Sequence, residues 1–192
     1  MTTARRATTS DIPRICRTAT IAFVDDPLLR WFFPEADEYW ARGPAAFAHL
    51  AVRSVAQQCT FTTDDGVAIG IFFPPGRPEV DVDPPGDSTP PTAQQAARFE
   101  AIGAALGAHT PDEPHWYLNV LATHPDWQGQ GLGVAVMEPI AEVCRQEGLP
   151  LYLETESTEY VAYYAHLGFR VRSEWDMPLE GPHMWGMVRE PS

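Results

Sequence analysis

The chain has 192 residues, 44% of them hydrophobic, and a formal net charge of −13 at pH 7; this size and composition predict one core and a single domain over residues 1–192. The negative charge disfavours nucleic-acid binding, because the field of the protein repels phosphate backbones. The longest apolar run, residues 67–73, is far shorter than the ~20 residues of a membrane span, and residues 1–6 lack the apolar core of a signal peptide. We therefore expect a cytoplasmic protein that binds no membrane.

The first half of the chain contains helical patterns and then a strand pair. The capping-box spacing Thr8-x-x-Asp11 precedes apolar residues at helical intervals, and Asp65-Gly66 separates two apolar runs as a hairpin turn would. The aromatic segment 28–33 has no pattern that assigns it a type. The expected elements are a strand at 5–7, a helix at about 9–24, a helix at about 38–57, and strands at 59–63 and 67–73.

The second half alternates strands and helices after a proline-rich segment. Seven prolines fall within residues 74–91, which predicts a loop over about 74–92. The elements expected beyond it are a helix at 93–107, a strand at 116–123, a helix with an apolar stripe from Leu132 to Cys144, a strand at 151–155, a short helix at 160–167, and strands at 168–175 and 184–188. This order predicts an α/β (α+β) domain around a mixed sheet.

The cysteines Cys16, Cys59 and Cys144 are odd in number and contain no Cys-x-x-Cys pair. This usage argues against a disulfide framework or a zinc site. We expect three core thiols and no metal.

A glycine-rich turn, Gln128-Gly129-Gln130-Gly131-Leu132-Gly133, lies between an expected strand and an expected helix. Glycines let the backbone approach a ligand closely, and the free amides and dipole of a helix N-terminus favour an anion such as a pyrophosphate. The turn lacks the acidic residue of a dinucleotide fingerprint and the Lys-Ser/Thr of a P-loop. From these residues alone, the glycine-rich turn is consistent with either a tight connection or a cofactor site.

Two segments in the right order resemble the GNAT N-acetyltransferases. Residues 116–125 followed by Asp126-Trp127-Gln128-x-x-Gly131-x-Gly133 resemble the acyl-CoA-binding motif, and Tyr164-x-x-x-Gly168-Phe169 resembles a second family segment. More narrowly, residues 115–191 resemble a puromycin N-acetyltransferase-like actinobacterial group. The resemblance implies the GNAT fold, a central mixed, mostly antiparallel sheet flanked by helices, with acetyl-CoA as acyl donor.

The resemblance also implies which residues hold the cofactor. Main-chain groups at a strand bulge would pair with the pantetheine arm, and amides of residues 129–134 would hold the pyrophosphate. Ser157 stands where the family commonly has Asn, and no basic residue lies between Asp126 and Glu138. The cofactor-binding residues expected are Leu121, Ala122, Thr123, Gln128, Gly129, Gln130, Gly131, Leu132, Gly133, Val134 and Ser157.

Tyr164 has the family position of the general acid that protonates the departing CoA thiolate. A phenol, with a pKa of about 10, can protonate a thiolate whose thiol has a pKa of about 8.5. Its neighbour Tyr163 lacks the spacing to Gly168 and Phe169. The alternative interpretation of Tyr164 is that it is an aromatic packing residue of this short helix.

Glu154 is the candidate general base, because an amine attacks a thioester only after losing its extra proton. It interrupts an apolar strand, so that burial would raise its pKa. A solvent-facing or capping role for Glu154 stays open, and so does a base among His115, His124 and His166.

These features predict transfer of acetyl from acetyl-CoA to a primary amine of a small cationic molecule, by direct attack in a ternary complex. Antibiotic resistance of the puromycin kind, or detoxification, would follow from the narrower resemblance. Acidic and aromatic residues at 25–40, with Glu79, Asp81, Asp83 and Asp87, are the candidate acceptor site. The alternatives are a protein or peptide N-acetyltransferase and a non-catalytic acyl-CoA-binding module, and the protein is expected to be a monomer or homodimer.

Overall fold

The computed structural model describes residues 4–82 and 90–191, which contain a seven-stranded sheet and six α-helices. The strands are β1 (Arg5–Arg6), β2 (Thr60–Thr62), β3 (Ala68–Phe73), β4 (Trp116–Thr123), β5 (Leu151–Thr155), β6 (Arg170–Asp176) and β7 (His183–Arg189). The helices are α1 (Ile12–Ala22), α2 (Pro27–Phe32), α3 (Ala36–Ala56), α4 (Ala93–His109), α5 (Leu132–Glu147) and α6 (Thr158–His166).

The sheet is mixed and mostly antiparallel, as predicted. Its strand order is β1-β2-β3-β4-β5-β7-β6, and among the described strands the β4–β5 pair is the parallel one. The predicted hairpin is confirmed: β2 pairs with β3, and the Gly66 amide donates to the Thr63 carbonyl at 2.9 Å to close the turn.

Each face of the sheet has its own hydrophobic core. Helices α1 and α3 cover one face, where Ile15 and Ala51 pack with Ile69 of β3 and Tyr152 of β5. Helix α5 covers the other face, where Val136 and Ile140 pack with Leu153 of β5. Because strand residues alternate in direction, Glu154 faces the same side as Tyr152, towards α1 and α3.

The start of α1 follows the predicted capping box. Thr8 donates from its amide to the Asp11 carboxylate at 2.8 Å, and Asp11 also pairs with Arg5 at 2.8 Å. A hydrogen bond from Arg5 holds the pKa of Asp11 well below its usual range. A single 3₁₀ turn, Thr9–Asp11, precedes Ile12, so the α-helix begins three residues later than the expected residue 9. It ends at Ala22, slightly before the expected residue 24.

The segment that no pattern assigned forms the short helix α2. Asp26 is its N-cap and accepts a hydrogen bond from the Leu29 amide at 2.8 Å, with Pro27 at the first helical position. Six residues are too few to reveal a helical period. In this position the Asp26 carboxyl lies near Glu156, which follows β5.

The prediction of core thiols is confirmed: Cys16, Cys59 and Cys144 are buried and free. Burial raises the pKa of the Cys16 and Cys59 thiols to about 11 and that of Cys144 to about 12. At neutral pH these groups are protonated and therefore weak nucleophiles. Within the described ranges, no helix has the length and hydropathy needed to cross a bilayer.

Candidate active site

The central feature of the site is a split between two neighbouring strands. β4 and β5 pair from Trp116 with Leu151 to Leu118 with Leu153, and then separate. Beyond this point, among the strands of the described residues, β4 pairs only with β3 and β5 only with β7. The β5-facing backbone edge of residues 119–123 is therefore left without a strand partner, and an extended ligand can pair with it.

The bulge lies at Asn119, and its expected position at Leu121–Thr123 is wrong. Ile71 of β3 pairs with Val120 while the next residue, Phe72, pairs with Leu118, so Asn119 is the extra residue. Leu121, Ala122 and Thr123 continue in regular register with β3. A bulge bends its strand and increases the local twist, which accounts for the separation of β4 from β5 directly after Leu118.

The glycine-rich turn joins β4 to α5 and leaves its amides uncapped. Gly129 and Gly131 have φ of 73° and 75°, a left-handed conformation that favours glycine, and Gly131 is the N-cap of α5 without a side-chain cap. Gln128 donates from Nε2 to the Thr123 carbonyl at 3.2 Å, which ties the turn to the end of β4. The exposed turn and the helix N-terminus suit an anionic ligand.

The other predicted cofactor residues lie around this turn and across the split. Leu132 is buried as the first residue of α5, and Val134 is exposed on the same first turn. Ser157 is the N-cap of α6, and its side chain caps none of the helix amides. Its hydroxyl is therefore not used in capping the helix.

Glu154 follows the last β4-paired residue of β5, at the mouth of the split. Burial raises the pKa of its carboxyl, while the neighbouring Tyr117 and Tyr152 hydroxyls and Arg77 oppose that rise. One oxygen, Oε1, is buried and has no hydrogen-bond partner of good geometry among the described residues. A buried acceptor without a partner is costly, so this oxygen is placed for a ligand or a water.

Polar groups that the sequence did not single out surround Glu154. The Arg77 guanidinium lies 3.9 Å from the centre of the Tyr117 ring, and Asn119 donates from Nδ2 to the Tyr117 hydroxyl at 3.0 Å. Arg77 Nη2 and Asn119 Oδ1 are also buried without partners within the described ranges. Arg77 reaches this position from the turn after β3, a contact across 40 residues of sequence that no local pattern encodes.

Tyr164 lies on the inner side of α6, packed edge-on against Phe169 with ring centres 5.5 Å apart. Burial raises the pKa of its phenol far above the usual value, with smaller contributions from Tyr163 and Glu156. It is therefore fully protonated at neutral pH, the state that an acid needs. Tyr163 points elsewhere: its hydroxyl would lie 3.2 Å from a Cβ at Gly133, against the glycine-rich turn.

The three histidines left open as bases have other surroundings. Burial lowers the pKa of His115, whose ring lies 5.5 Å from that of Tyr152, and its Nδ1 is 2.8 Å from the Glu113 carbonyl. The His124 ring accepts from the Asp126 amide, and His166 contacts the Ala162 carbonyl of its own helix. Of the three, His115 lies beside the polar groups around Glu154.

The structure brings together a carboxyl pair, Asp26 and Glu156, that sequence reasoning did not combine. The two carboxyls lie close enough, at the start of α2 and just after β5, for each to affect the pKa of the other. Burial and the neighbouring Asp26 raise the pKa of Glu156 to about 9. No local pattern gave this pair, because Glu156 lies beyond the end of β5 at Thr155 and Asp26 is 130 residues away in sequence.

The acidic and aromatic segment expected to bind the acceptor divides into unrelated parts. Phe32, Phe33 and Tyr39 form a buried cluster, and Tyr39 donates from its hydroxyl to the Thr20 carbonyl at 2.7 Å. These rings are packing residues and present no open aromatic face. Of the carboxylates expected there, Asp26 caps α2 and lies next to Glu156.

The proline-rich loop meets the site at its start, where Arg77 lies over the Tyr117 ring, and then runs towards α1 and α3. The Pro78 carbonyl accepts from Gln57 just after α3, and Val82 lines a surface cavity with Ile12 and Val55 of α1 and α3. Glu79 and Asp81 are exposed on this stretch, while Asp83 and Asp87 fall outside the described residues.

Comparison with known proteins agrees with this geometry. The model of the acetyltransferase (GNAT) family matches residues 75–169, which include the split strand, the glycine-rich turn, Glu154 and Tyr164. The structure adds one point on metals: within the described ranges, no group of three or more His, Cys, Asp or Glu side chains could hold a metal ion. The fold is that of acetyltransferases of this family, as the comparisons below illustrate. Residues 75–169 of the chain are therefore similar to the GNAT acetyltransferase family.

Three individual proteins illustrate the similarity. An uncharacterized N-acetyltransferase of Schizosaccharomyces pombe is 36% identical over 87 residues, 42% of this chain, and the match spans 33% of that protein. A histone acetyltransferase and related acetyltransferase structure from Corynebacterium glutamicum is 25% identical, with a TM-score of 0.69 and coverage of 100% and 98% of the two chains. A Drosophila melanogaster polyamine N-acetyltransferase that forms N-acetylagmatine has a TM-score of 0.70 at 14% identity, covering 99% and 100%.

Proposed function

We propose that the protein transfers acetyl from acetyl-CoA to a primary amine of a small cationic molecule, by direct attack in a ternary complex. The observation that carries the proposal is the buried Glu154 carboxyl, with Oε1 unpartnered, at the mouth of the β4–β5 split. A base of raised pKa beside an open strand edge is the arrangement that amine acylation needs. The family match over residues 75–169 and the likeness in fold to a polyamine acetyltransferase support the choice of substrate class.

In this proposal the split and the turn hold the acyl donor. Main-chain groups of Leu121, Ala122 and Thr123 pair with the pantetheine arm, because this edge of β4 lacks a strand partner. The amides of residues 129–134 hold the pyrophosphate, with Gln128 fixing the turn and Ser157 offering a hydroxyl from across the split. No basic side chain assists between Asp126 and Glu138, so affinity depends on amides and the helix dipole.

The proposed chemistry divides between two residues. Glu154 accepts a proton from the bound ammonium, directly or through a water, and the neutral amine attacks the thioester carbonyl. As the carbon–sulfur bond breaks, Tyr164 donates its phenolic proton to the departing thiolate. No acyl-enzyme forms on cysteine in this scheme, because all three thiols are buried and have raised pKa values.

The resemblance to the puromycin N-acetyltransferase-like group extends the proposal to aminoacyl-nucleosides and to a role in resistance or detoxification. This extension rests on the sequence motifs alone. A substrate screen should therefore include an aminoacyl-nucleoside.

The proposal is tested by a screen of amines, including alkylamines, diamines, arylamines and an aminoacyl-nucleoside, with acetyl-CoA and detection of the released thiol. We expect turnover of at least one cationic primary amine, and formation of its N-acetyl product by mass spectrometry. CoA binding without turnover of any amine would instead indicate a non-catalytic acyl-CoA-binding module. Turnover confined to peptides would favour a protein acetyltransferase.

A further inference from the structure

Asn119, the bulge residue of β4, uses only half of its side-chain amide within the described residues. Its Nδ2 donates to the Tyr117 hydroxyl at 3.0 Å, whereas its Oδ1 is buried and has no hydrogen-bond partner there. Burying a carboxamide oxygen without a donor is costly, and such oxygens normally accept from a protein group, a ligand or a water. This oxygen is therefore available to a bound molecule.

The hydrogen bond to Tyr117 fixes the direction of the amide, because Tyr117 is itself held on several sides. Its side chain is buried, its ring is stacked on that of Tyr152 with ring centres 6.1 Å apart, and the Arg77 guanidinium lies 3.9 Å from its centre. Nitrogen and oxygen point in different directions from the carbon of a carboxamide, so donation from Nδ2 leaves Oδ1 directed away from this hydroxyl.

Asn119 and Glu154 begin the two edges of the β4–β5 split. The last pair of the ladder is Leu118 with Leu153. Asn119 and Glu154 come next in the same parallel register and are the first residues of it that do not pair. The two side chains therefore leave the sheet opposite one another, at the point where the strands separate.

Both side chains lie on the same face of the sheet. Asn119 contacts the hydroxyl of Tyr117, and Glu154 follows Tyr152 by two residues within β5, so it shares the face of Tyr152. The stacked rings of Tyr117 and Tyr152 lie on one face. Two buried oxygens without a partner among the described residues, Asn119 Oδ1 and Glu154 Oε1, therefore flank the mouth of the split.

We propose that Asn119 Oδ1 accepts a hydrogen bond from the acceptor amine, so that Asn119 and Glu154 hold one nitrogen from the two edges of the split and the site selects primary over secondary amines. The inference rests on the proposed function, since it takes the amine beside Glu154 to be the one acetylated. A primary ammonium has three N–H donors and can satisfy both oxygens at once. Asn119 is uncharged, so its contact persists after a proton has passed to Glu154.

The selectivity follows from the number of N–H bonds on the nitrogen. As the nitrogen–carbon bond forms and the carbon–sulfur bond breaks, a primary ammonium loses two of its three N–H protons. The first goes to Glu154, and the second balances the proton that Tyr164 gives to the departing thiolate. The third stays in the product amide and can remain on Asn119 Oδ1 throughout. A secondary ammonium loses both of its N–H protons, which leaves this buried oxygen without a donor.

The first test measures the binding of phenethylamine to the CoA-loaded protein by calorimetry at pH 7. Asn119→Leu keeps the size of the side chain but removes its hydrogen bonds, and we expect it to weaken binding by about tenfold or more, the scale of one buried hydrogen bond to a charged group. Asn119→Asp is the matched variant, because it keeps an acceptor oxygen and loses the donor to Tyr117. It should retain the affinity for phenethylamine. An unchanged affinity for CoA in both variants confirms that they are folded.

The second test compares kcat for phenethylamine and for N-methylphenethylamine. The wild-type protein should favour the primary amine, and Asn119→Leu should reduce the ratio of the two kcat values by about tenfold. The steric effect of the methyl group is common to both proteins and cancels in this comparison. An unchanged ratio would overturn the proposed selectivity.

An unchanged affinity for phenethylamine in Asn119→Leu would overturn the amine contact. So would an equal loss in Asn119→Asp, because Asn119 would then act only by supporting Tyr117. Thiol release from acetyl-CoA by the wild-type protein tests the proposed function separately. Amine binding without thiol release would contradict acetyl transfer, while the calorimetry would still decide whether Asn119 holds the amine.

Discussion

At the scale of single residues, two adjacent tyrosines have different surroundings and therefore different expected roles. Tyr164 is packed inward with its phenol near Glu156, whereas the Tyr163 hydroxyl lies against Gly133 of the cofactor turn. We predict that Tyr164→Phe lowers kcat by about 10²-fold or more, the usual scale for loss of a general acid, with CoA affinity little changed. Steady-state kinetics with acetyl-CoA and a good amine checks this.

Tyr163→Phe is the matched control, and we expect a mild change confined to the KM for acetyl-CoA. Equal loss of kcat in the two variants would show that Tyr164 has no special role. The spacing to Gly168-Phe169 distinguished the two tyrosines in the sequence, but the contact of Tyr163 with the turn needed the fold.

At the scale of elements, the glycine-rich turn and the start of α5 form the proposed pyrophosphate site. Gly131 has φ of 75° with open space around it, so a side chain there strains the backbone without meeting another atom. Gly131→Val should destabilise this conformation by ~1–2 kcal/mol and weaken CoA binding by about tenfold. Calorimetric titration of the folded variant with CoA measures the loss.

Gly107→Ala is a suitable control, because Gly107 lies within α4 and also has open space around it. CoA affinity should not change in that variant. An unchanged affinity in Gly131→Val would mean that the pyrophosphate binds elsewhere. Gln130→Arg should tighten binding, since it adds a cation where the turn has none.

The elements were predictable where local chemistry determines them. The capping box at Thr8, the Asp65-Gly66 turn and the stripe from Leu132 to Cys144 each involve neighbours in sequence, and the structure has all three. The bulge at Asn119 was misplaced because it arises from the pairing of β4 with β3. Contacts of Asp26 with Glu156 and of Arg77 with Tyr117 join distant segments, and no periodicity encodes them.

At the scale of the whole molecule, the charge of −13 should attract cationic substrates. We predict that kcat/KM for a cationic amine falls as ionic strength rises past ~0.1 M, where the screening length is about 10 Å. The kcat at saturating amine should change little, because steering acts on encounter. A flat profile, or a neutral arylamine that outcompetes every cationic amine, would contradict electrostatic steering.

Glu154 is the proposed base at the split, and the pH dependence of kcat is the sharpest test of this role. Glu154 must be ionised to accept a proton, and burial raises its pKa, so activity should be lost as pH falls through a value above the ~4.3 of a free glutamate. In Glu154→Gln we expect kcat to drop by about 10²-fold or more and this acidic limb to disappear. A variant that keeps both the wild-type kcat and the same acidic limb would contradict the account.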